Sequence, residues 1–144
     1  MVRTYDPKQV AISIGGYPIS GFADGTFIRV ERDEAAFTKK VGCDGETSRA
    51  KTNNRAGTVT LTLMQTSSSN DALSSIALLD ETSNAGVVPV LISDLSGRST
   101  FFSANGWIEG PVAAEYGKEL GEIEWKIAVA DLDVFIGGNP EYGS

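Results

Sequence analysis

The side chains best suited to chemistry in this 144-residue chain are carboxylates. Glu122 and Glu124 stand two apart in an alternating stretch, on one strand face and about 6.6 Å from each other. Two acids at such a spacing can share general acid/base work of the glycosidase kind. Lys126 occupies the same face and no aromatic platform accompanies it, so a solvated or intersubunit face accounts for the pair better than an active site. Asp24, Asp44, Asp80, Asp94, Asp131 and Asp133 do not follow the D-x-[DN]-x-[DN]-G spacing of a calcium loop and read as turn chemistry. Cys43 sits beside Asp44, which disfavours a thiolate and makes it a poor nucleophile. One cysteine and no histidine remove an intrachain disulfide, thiolate and histidine metal sites, and Ser-His-Asp or Cys-His machinery. No cofactor or metal is expected, and an enzyme is the least favoured class. "GGYPISG" and "GCDG" lack the pattern of a phosphate-cradling loop. Trp107, Trp125, Phe101 and Phe102 read as core or interface rather than as a ligand groove.

Charge narrows the partners. Nineteen acidic against 12 basic residues give a net charge of −7. Such a surface repels a phosphate backbone, and Lys39-Lys40 is the only adjacent lysine pair. No apolar run approaches the roughly 20 residues that cross a bilayer. The first ten residues hold charge and proline without an apolar signal core, so nothing marks the chain for secretion. The length fits a single domain, 1–144.

The elements that must carry these residues are mostly strands. In "GTVTLTLM", Val59, Leu61 and Leu63 share one face and Thr58, Thr60 and Thr62 the other. "SSSNDALSSIALLD" then changes period. It predicts a helix over about 69–80, capped by Ser68, Ser69 or Asn70, with Asp71 in its first turn. Its apolar stripe, Ala72, Leu73, Ile76 and Leu79, is one-sided and needs packing against a sheet. Val10, Ile12 and Ile14 predict a strand ending at Gly15-Gly16, followed by a short strand over 17–22. Ile28 and Val30 share a face, as do Phe37, Lys39 and Val41. Asp24-Gly25 and Asp44-Gly45 are turn dipeptides, and 52–57 is a loop. Pro89 places an edge or a bulge in the strand around it.

Further along, Phe102, Ala104 and Ile108 fall on one face and Phe101, Ser103 and Trp107 on the other, so that strand needs cover on both sides, or cover for one half from a neighbouring subunit. Ile123, Trp125, Ile127 and Val129 point inward, with Glu122, Glu124 and Lys126 outward. Beyond Ala130 the parity switches, which a bulge near Asp131 explains. The fold class is therefore mainly β, an antiparallel sandwich or small barrel with one short flanking α-helix. Its edges need protection, and closure against further copies is one way to provide it.

The stretch "FTKKVGCDGETSRAKTNNRAGTVTLTLMQTSSSNDALSSI", 37–76, resembles the tail tube proteins of contractile-tailed bacteriophages. Val41-Gly42, Asp44-Gly45-Glu46, Arg49, the 57–63 strand, Asn70-Asp71 and Leu73 carry the likeness. "QVAISIGGYPISGFADGTFIRVERDE" and "GEIEWKIAVADLDVFIGG" extend it over nearly the entire chain. The resemblance implies a virion structural protein without catalytic residues. Its homohexameric rings stack into a hollow tube inside the contractile sheath, and neighbouring inner sheets join into a lumenal barrel. Tape-measure protein and then DNA pass through, baseplate and tail terminator proteins bind the ends, and no membrane takes part. The protein would reside in the virion tail after assembly in the host cytoplasm.

Under that resemblance, a negative bore with Thr and Ser faces would repel phosphate without cations to grip it. Glu31, Asp33, Glu34 and Glu46 are candidates for the lumen or for contacts between rings, and Arg49 for stacking. Leu73, Ile76 and Leu79 mark the helix as a packing element or an intersubunit wedge. Two alternatives stay open: the tube of a phage-derived contractile injection or secretion system, and a monomeric β-sandwich binding module.

Overall fold

A computed structural model describes residues 2–3, 6–7, 10–23, 25, 27–95, 97–110, 121–138 and 141–142. Asp24 of the first turn dipeptide lies outside them. Thirteen elements follow in chain order: β1 (Val2–Arg3), β2 (Val10–Ile14), β3 (Tyr17–Pro18), β4 (Ile28–Arg32), β5 (Phe37–Val41), β6 (Thr47–Lys51), β7 (Gly57–Met64), α1 (Ser69–Ser83), β8 (Val88–Asp94), β9 (Thr100–Ile108), β10 (Glu122–Val129), β11 (Asp133–Phe135) and β12 (Glu141–Tyr142). The main sheet is antiparallel, in the order β3-β2-β8-β9-β10-β7-β4, with β11 beside β9.

That sheet curls over one core. Ile12, Ile14, Val90 and Ile92 from the β2–β8 half meet Val59, Leu61, Leu63, Trp125, Ile127 and Val129 from the β7–β10 half. The alternation in β7 and β10 produces this directly, since every second side chain of a strand must point the same way. Segment 19–23 closes one end, with the Ile19 amide donating to Ile12 O and the Ala23 amide to Thr62 O. It replaces most of the strand expected over 17–22, of which only Tyr17–Pro18 and a single bridge from Phe22 to Leu63 are strand-like. Gly21, at φ +76, lets this crossing pass Ser67, whose Oγ a Cβ would meet at 2.5 Å. The other end stays open as a cleft of about 490 Å³ between Ile28 and Val30 of β4 and Val10, Ile92 and Phe101.

Pro89 lies within β8, which pairs with both β2 and β9, so of the expected edge or bulge it is the bulge that is present, at the register shift between Val88 and Val90. The extra residue of that shift lies in β9, where Ser103 Oγ accepts the Asn105 amide, and it changes the parity of β9. Ile108 therefore packs on the core side with Phe101, and Trp107 stands opposite Ala128. The parity switch falls where expected, around Asp131: residues 130–132 interrupt the strand, Leu132 points into the core, and β11 continues along β9 in the register of β10. Glu141 and Tyr142 pair with β1.

Helix α1 runs to Ser83, beyond the expected 80. Thr82 and Ser83 hydroxyls donate to Leu78 and Leu79 carbonyls, and Asn84 ends it at φ 57 with its amide on Asp80 O. Leu73 and Ile76 are buried, but Leu79 remains 49% exposed. The last residue of the stripe thus stays outside the single-copy core and lines a cleft with Tyr17, Ile76 and Val88.

Candidate functional site

Residues on the sheet's outward side fall into two surfaces of opposite character. On the β4–β7–β10 half, strand register sets Arg29 beside Thr60 and Thr60 beside Lys126. The Glu109 amide donates to Lys126 O at 2.8 Å, which extends this row by one residue. The row before it holds Glu31, Thr58, Ala128 and Trp107; the row after it holds Thr62 and Glu124, and the next Met64 and Glu122. Arg29 Nε meets Glu31 Oε1 at 2.6 Å. The threonine face therefore carries two cations among four carboxylates, where a lining free of cations was expected.

On the β2–β8–β9–β11 half the outward side turns apolar. Leu91 pairs with Phe102, and Phe102 with Asp133; Phe135 lies opposite Thr100. Leu91, Phe102 and Phe135 are 41%, 40% and 62% exposed. The cover expected for β9 on both faces is present on the Phe101 face, while Phe102 meets solvent in the single copy. Among the described residues no strand pairs with the outer edge of β11, beside this surface, or with that of β4 at the end of the sheet.

The third surface is an arm. Among the described residues strands β5 and β6 pair only with each other, and every residue in both is exposed. The Arg49 guanidinium carbon lies 4.3 Å above the Phe37 ring. Lys39, Lys40, Arg49 and Lys51 outnumber Asp44 and Glu46 by two, which leaves the remaining chain at −9 against −7 overall. At the arm's root Arg32 donates from Nε and Nη2 to Leu132 O, the Leu132 amide donates to Arg55 O, and Arg55 pairs with Asp133. Gly57 is needed where β7 leaves this root, since a Cβ there would collide with the Glu31 carbonyl.

The expected site residues are thus dispersed. Glu31 belongs to the polar face, Asp33 and Glu34 to the connection between β4 and β5, and Glu46 and Arg49 to the arm. All five are exposed. Sequence reasoning missed Arg29 as a neighbour of Lys126, because only register joins positions so far apart, although Ile28 and Val30 pointing inward already imply Arg29 and Glu31 outward. The Arg32–Leu132–Arg55 root left no periodic signal at all. Glu122 and Glu124 are exposed opposite Met64 and Thr62. Among the described residues no three His, Cys, Asp or Glu side chains converge on a metal position, and no helix is long and apolar enough to cross a membrane.

Comparison with known proteins adds the remaining observations. Residues 4–137 match the family model described as bacteriophage PhiTE tail tube protein. Structural protein ORF10 of Pseudomonas phage KPP10 is 31% identical over 144 residues, spanning 94% of this chain and 83% of that relative. Among solved structures, the tube-terminating cap of the anti-feeding prophage superposes with a TM-score of 0.64 at 10% identity, covering 94% and 93% of the two chains. A chain from the PVC extracellular contractile injection system, in its extended sheath-tube complex, gives 0.54 at 13% identity over 92% and 91%. Identities this low speak for a common fold alone.

Proposed function

Because the chain belongs to the bacteriophage PhiTE tail tube protein family, we propose that it acts as one tail-tube domain whose hexameric rings stack into the hollow tube of a phage tail. It is a tube-forming structural subunit of a phage or related contractile injection system, and it is not an enzyme.

The observation that carries the reading is the division of one continuous sheet between a polar and an apolar outward surface, each next to an edge that no described strand pairs with. In a ring the polar half faces the water-filled bore, and the apolar half meets the next copy. The arm, with Glu46 and Arg49, reaches toward an adjoining ring, and α1 lies away from the bore with Leu79 free for a neighbour or the sheath. Tape-measure protein and DNA would occupy the lumen transiently, with baseplate and terminator proteins at the ends. The location is the virion tail, after assembly in the host cytoplasm. Negative-stain microscopy of the concentrated protein tests this. Rings or tubes with a central hole are expected; a clean monomer at high concentration, or solid particles, would sink it.

A second reading is favoured by the likeness to injection-system tubes: the same ring and stack, with a cargo other than DNA. Particles purified with the tube intact separate the two by whether they contain nucleic acid.

A further inference from the structure

We infer that the arm of one copy docks by a single face, that of Phe37, Lys39, Val41, Arg49 and Lys51, into the cleft beside α1 of another copy. The inference rests on the tube reading, in which the arm reaches an adjoining ring, and adds what it meets there. Residues directly opposite in an antiparallel pair point the same way. The register Phe37↔Lys51, Lys39↔Arg49 and Val41↔Thr47 therefore gathers three cations and both large apolar side chains on one side. Thr38, Lys40, Ser48 and Ala50 are left for the other. Among the described residues no carboxylate is ion-paired with Lys39, Arg49 or Lys51.

A surface that fits this face is apolar, with acids and no cations around it. The cleft of about 420 Å³ beside α1 is lined by Tyr17, Ile76, Leu79 and Val88, with Asp71 as its charged residue. Asp80 and Glu81 follow Leu79, and from Ala56 to Gly97 the chain holds four acids and no Lys or Arg. The lengths agree as well. Ala72 to Leu79 spans about 10 Å of helix, and Phe37 to Val41 about 13 Å of strand. Laid along the helix, the arm sets its two apolar side chains over the ends of the cleft, with Lys39 and Arg49 between them. Arg49 already lies against the Phe37 ring, which holds its planar guanidinium ready for a carboxylate; Asp71 is that carboxylate. The larger cleft at the open end of the sheet suits a cationic face less, since Arg29 stands between Ile28 and Val30 of its lining and Arg98 beside Ser99.

A charge exchange in the full chain tests the contact, with assembly followed by light scattering at about 0.1 M salt. Arg49→Asp and Asp71→Arg should each raise the concentration for half-maximal assembly at least about tenfold. An equal mixture of the two variants should recover assembly, because each arm then meets the opposite charge on the other variant's cleft. Only a contact between copies can produce that recovery. Asp71 stands in the first turn of α1, so Ser75→Lys, further along the cleft, is the second variant. It should weaken assembly with the unfolding midpoint unchanged. Assembly untouched by both Asp71→Arg and Ser75→Lys, or no recovery on mixing, overturns the inference and leaves the cleft to a different protein. Microscopy of the same samples judges the tube separately. Tubes that the wild type and all three variants form alike keep the tube and reject this contact. Association without a hollow particle, lost in each variant and recovered on mixing, keeps the contact and rejects the tube.

Discussion

The indole Nε1–H of Trp125 in β10 donates to Oδ1 of Asn70 in the first turn of α1, at 2.9 Å. The Asn70 amide nitrogen donates in turn to the carbonyls of Met64 and Gln65, at the end of β7. One side chain thus ties a helix start, a strand end and a core tryptophan together, and it uses both faces of the amide to do so. Asn70→Ala should cost about 1–3 kcal/mol, since it leaves a buried indole donor without a partner. Asn70→Asp should be no better near neutral pH, because a carboxylate accepts from Trp125 but opposes the two carbonyls. Protonation gives it back one donor, so its deficit relative to wild type should narrow as pH falls. Urea unfolding of both variants against wild type measures this; equal stability of wild type and Asn70→Ala would contradict the role given to Asn70.

The helix stripe separates folding from assembly. Leu73 is fully buried, so Leu73→Ala should destabilise the single chain by about 2–5 kcal/mol. Leu79 is half exposed, and Leu79→Ala should stay within about 0.5 kcal/mol. If Leu79 meets a neighbouring copy or the sheath, Leu79→Glu keeps the unfolding midpoint and weakens the larger assembly. A large drop in midpoint for Leu79→Ala would place this residue in the single-copy core instead.

Those contrasts mark what could be read from the chain. Period-two alternation in β7 and β10 names the inward residues correctly, because one buried face determines the whole strand. The helix was legible through its change of period, and its N-cap, Ser68, is one of the three positions expected, but the bonding of the serines was not legible. Ser68 makes no side-chain cap bond. The serine run instead braces the crossing segment, with Ser67 Oγ donating to Ser20 O and the Ser20 amide donating to Ser69 Oγ. Those bonds span more than 40 positions, beyond what local spacing can report. The arm was read as ordinary strands, since Phe37, Lys39 and Val41 alternate as a half-buried strand would; only tertiary placement shows that nothing covers them.

The root of that arm should be more sensitive than its surface ion pair. Arg32→Met keeps the aliphatic stem but removes two charge-assisted bonds to Leu132 O, and should cost about 1–3 kcal/mol. Asp133→Asn breaks an exposed pair with Arg55 and should cost less than about 1 kcal/mol. Chemical denaturation of the single chain compares them directly. A cost for Asp133→Asn equal to that of Arg32→Met would show that the carbonyl clamp is not what fixes the root.

The arm itself should contribute to assembly and little to folding. Its residues are all exposed, and a two-stranded ribbon alone is marginal in water, so it gains order from a partner. Its net positive charge against a strongly negative remainder makes a further copy of the same chain an electrostatically fitting partner. Lys39→Glu with Lys40→Glu should therefore leave the unfolding free energy within about 0.5 kcal/mol while raising the concentration needed for tubes. Arg49→Glu should act more strongly, because it reverses charge and removes the guanidinium from the Phe37 ring, worth about 0.5–1 kcal/mol at an exposed site. Wild-type assembly should weaken as salt shortens the Debye length from about 10 Å at 0.1 M to about 3 Å at 1 M. Light scattering across a salt series, for all three proteins, reads both effects. Normal tube formation by Arg49→Glu, or wild-type assembly that strengthens with salt, would remove the arm's charge from the contact and leave its apolar residues, Phe37 and Val41, to make it.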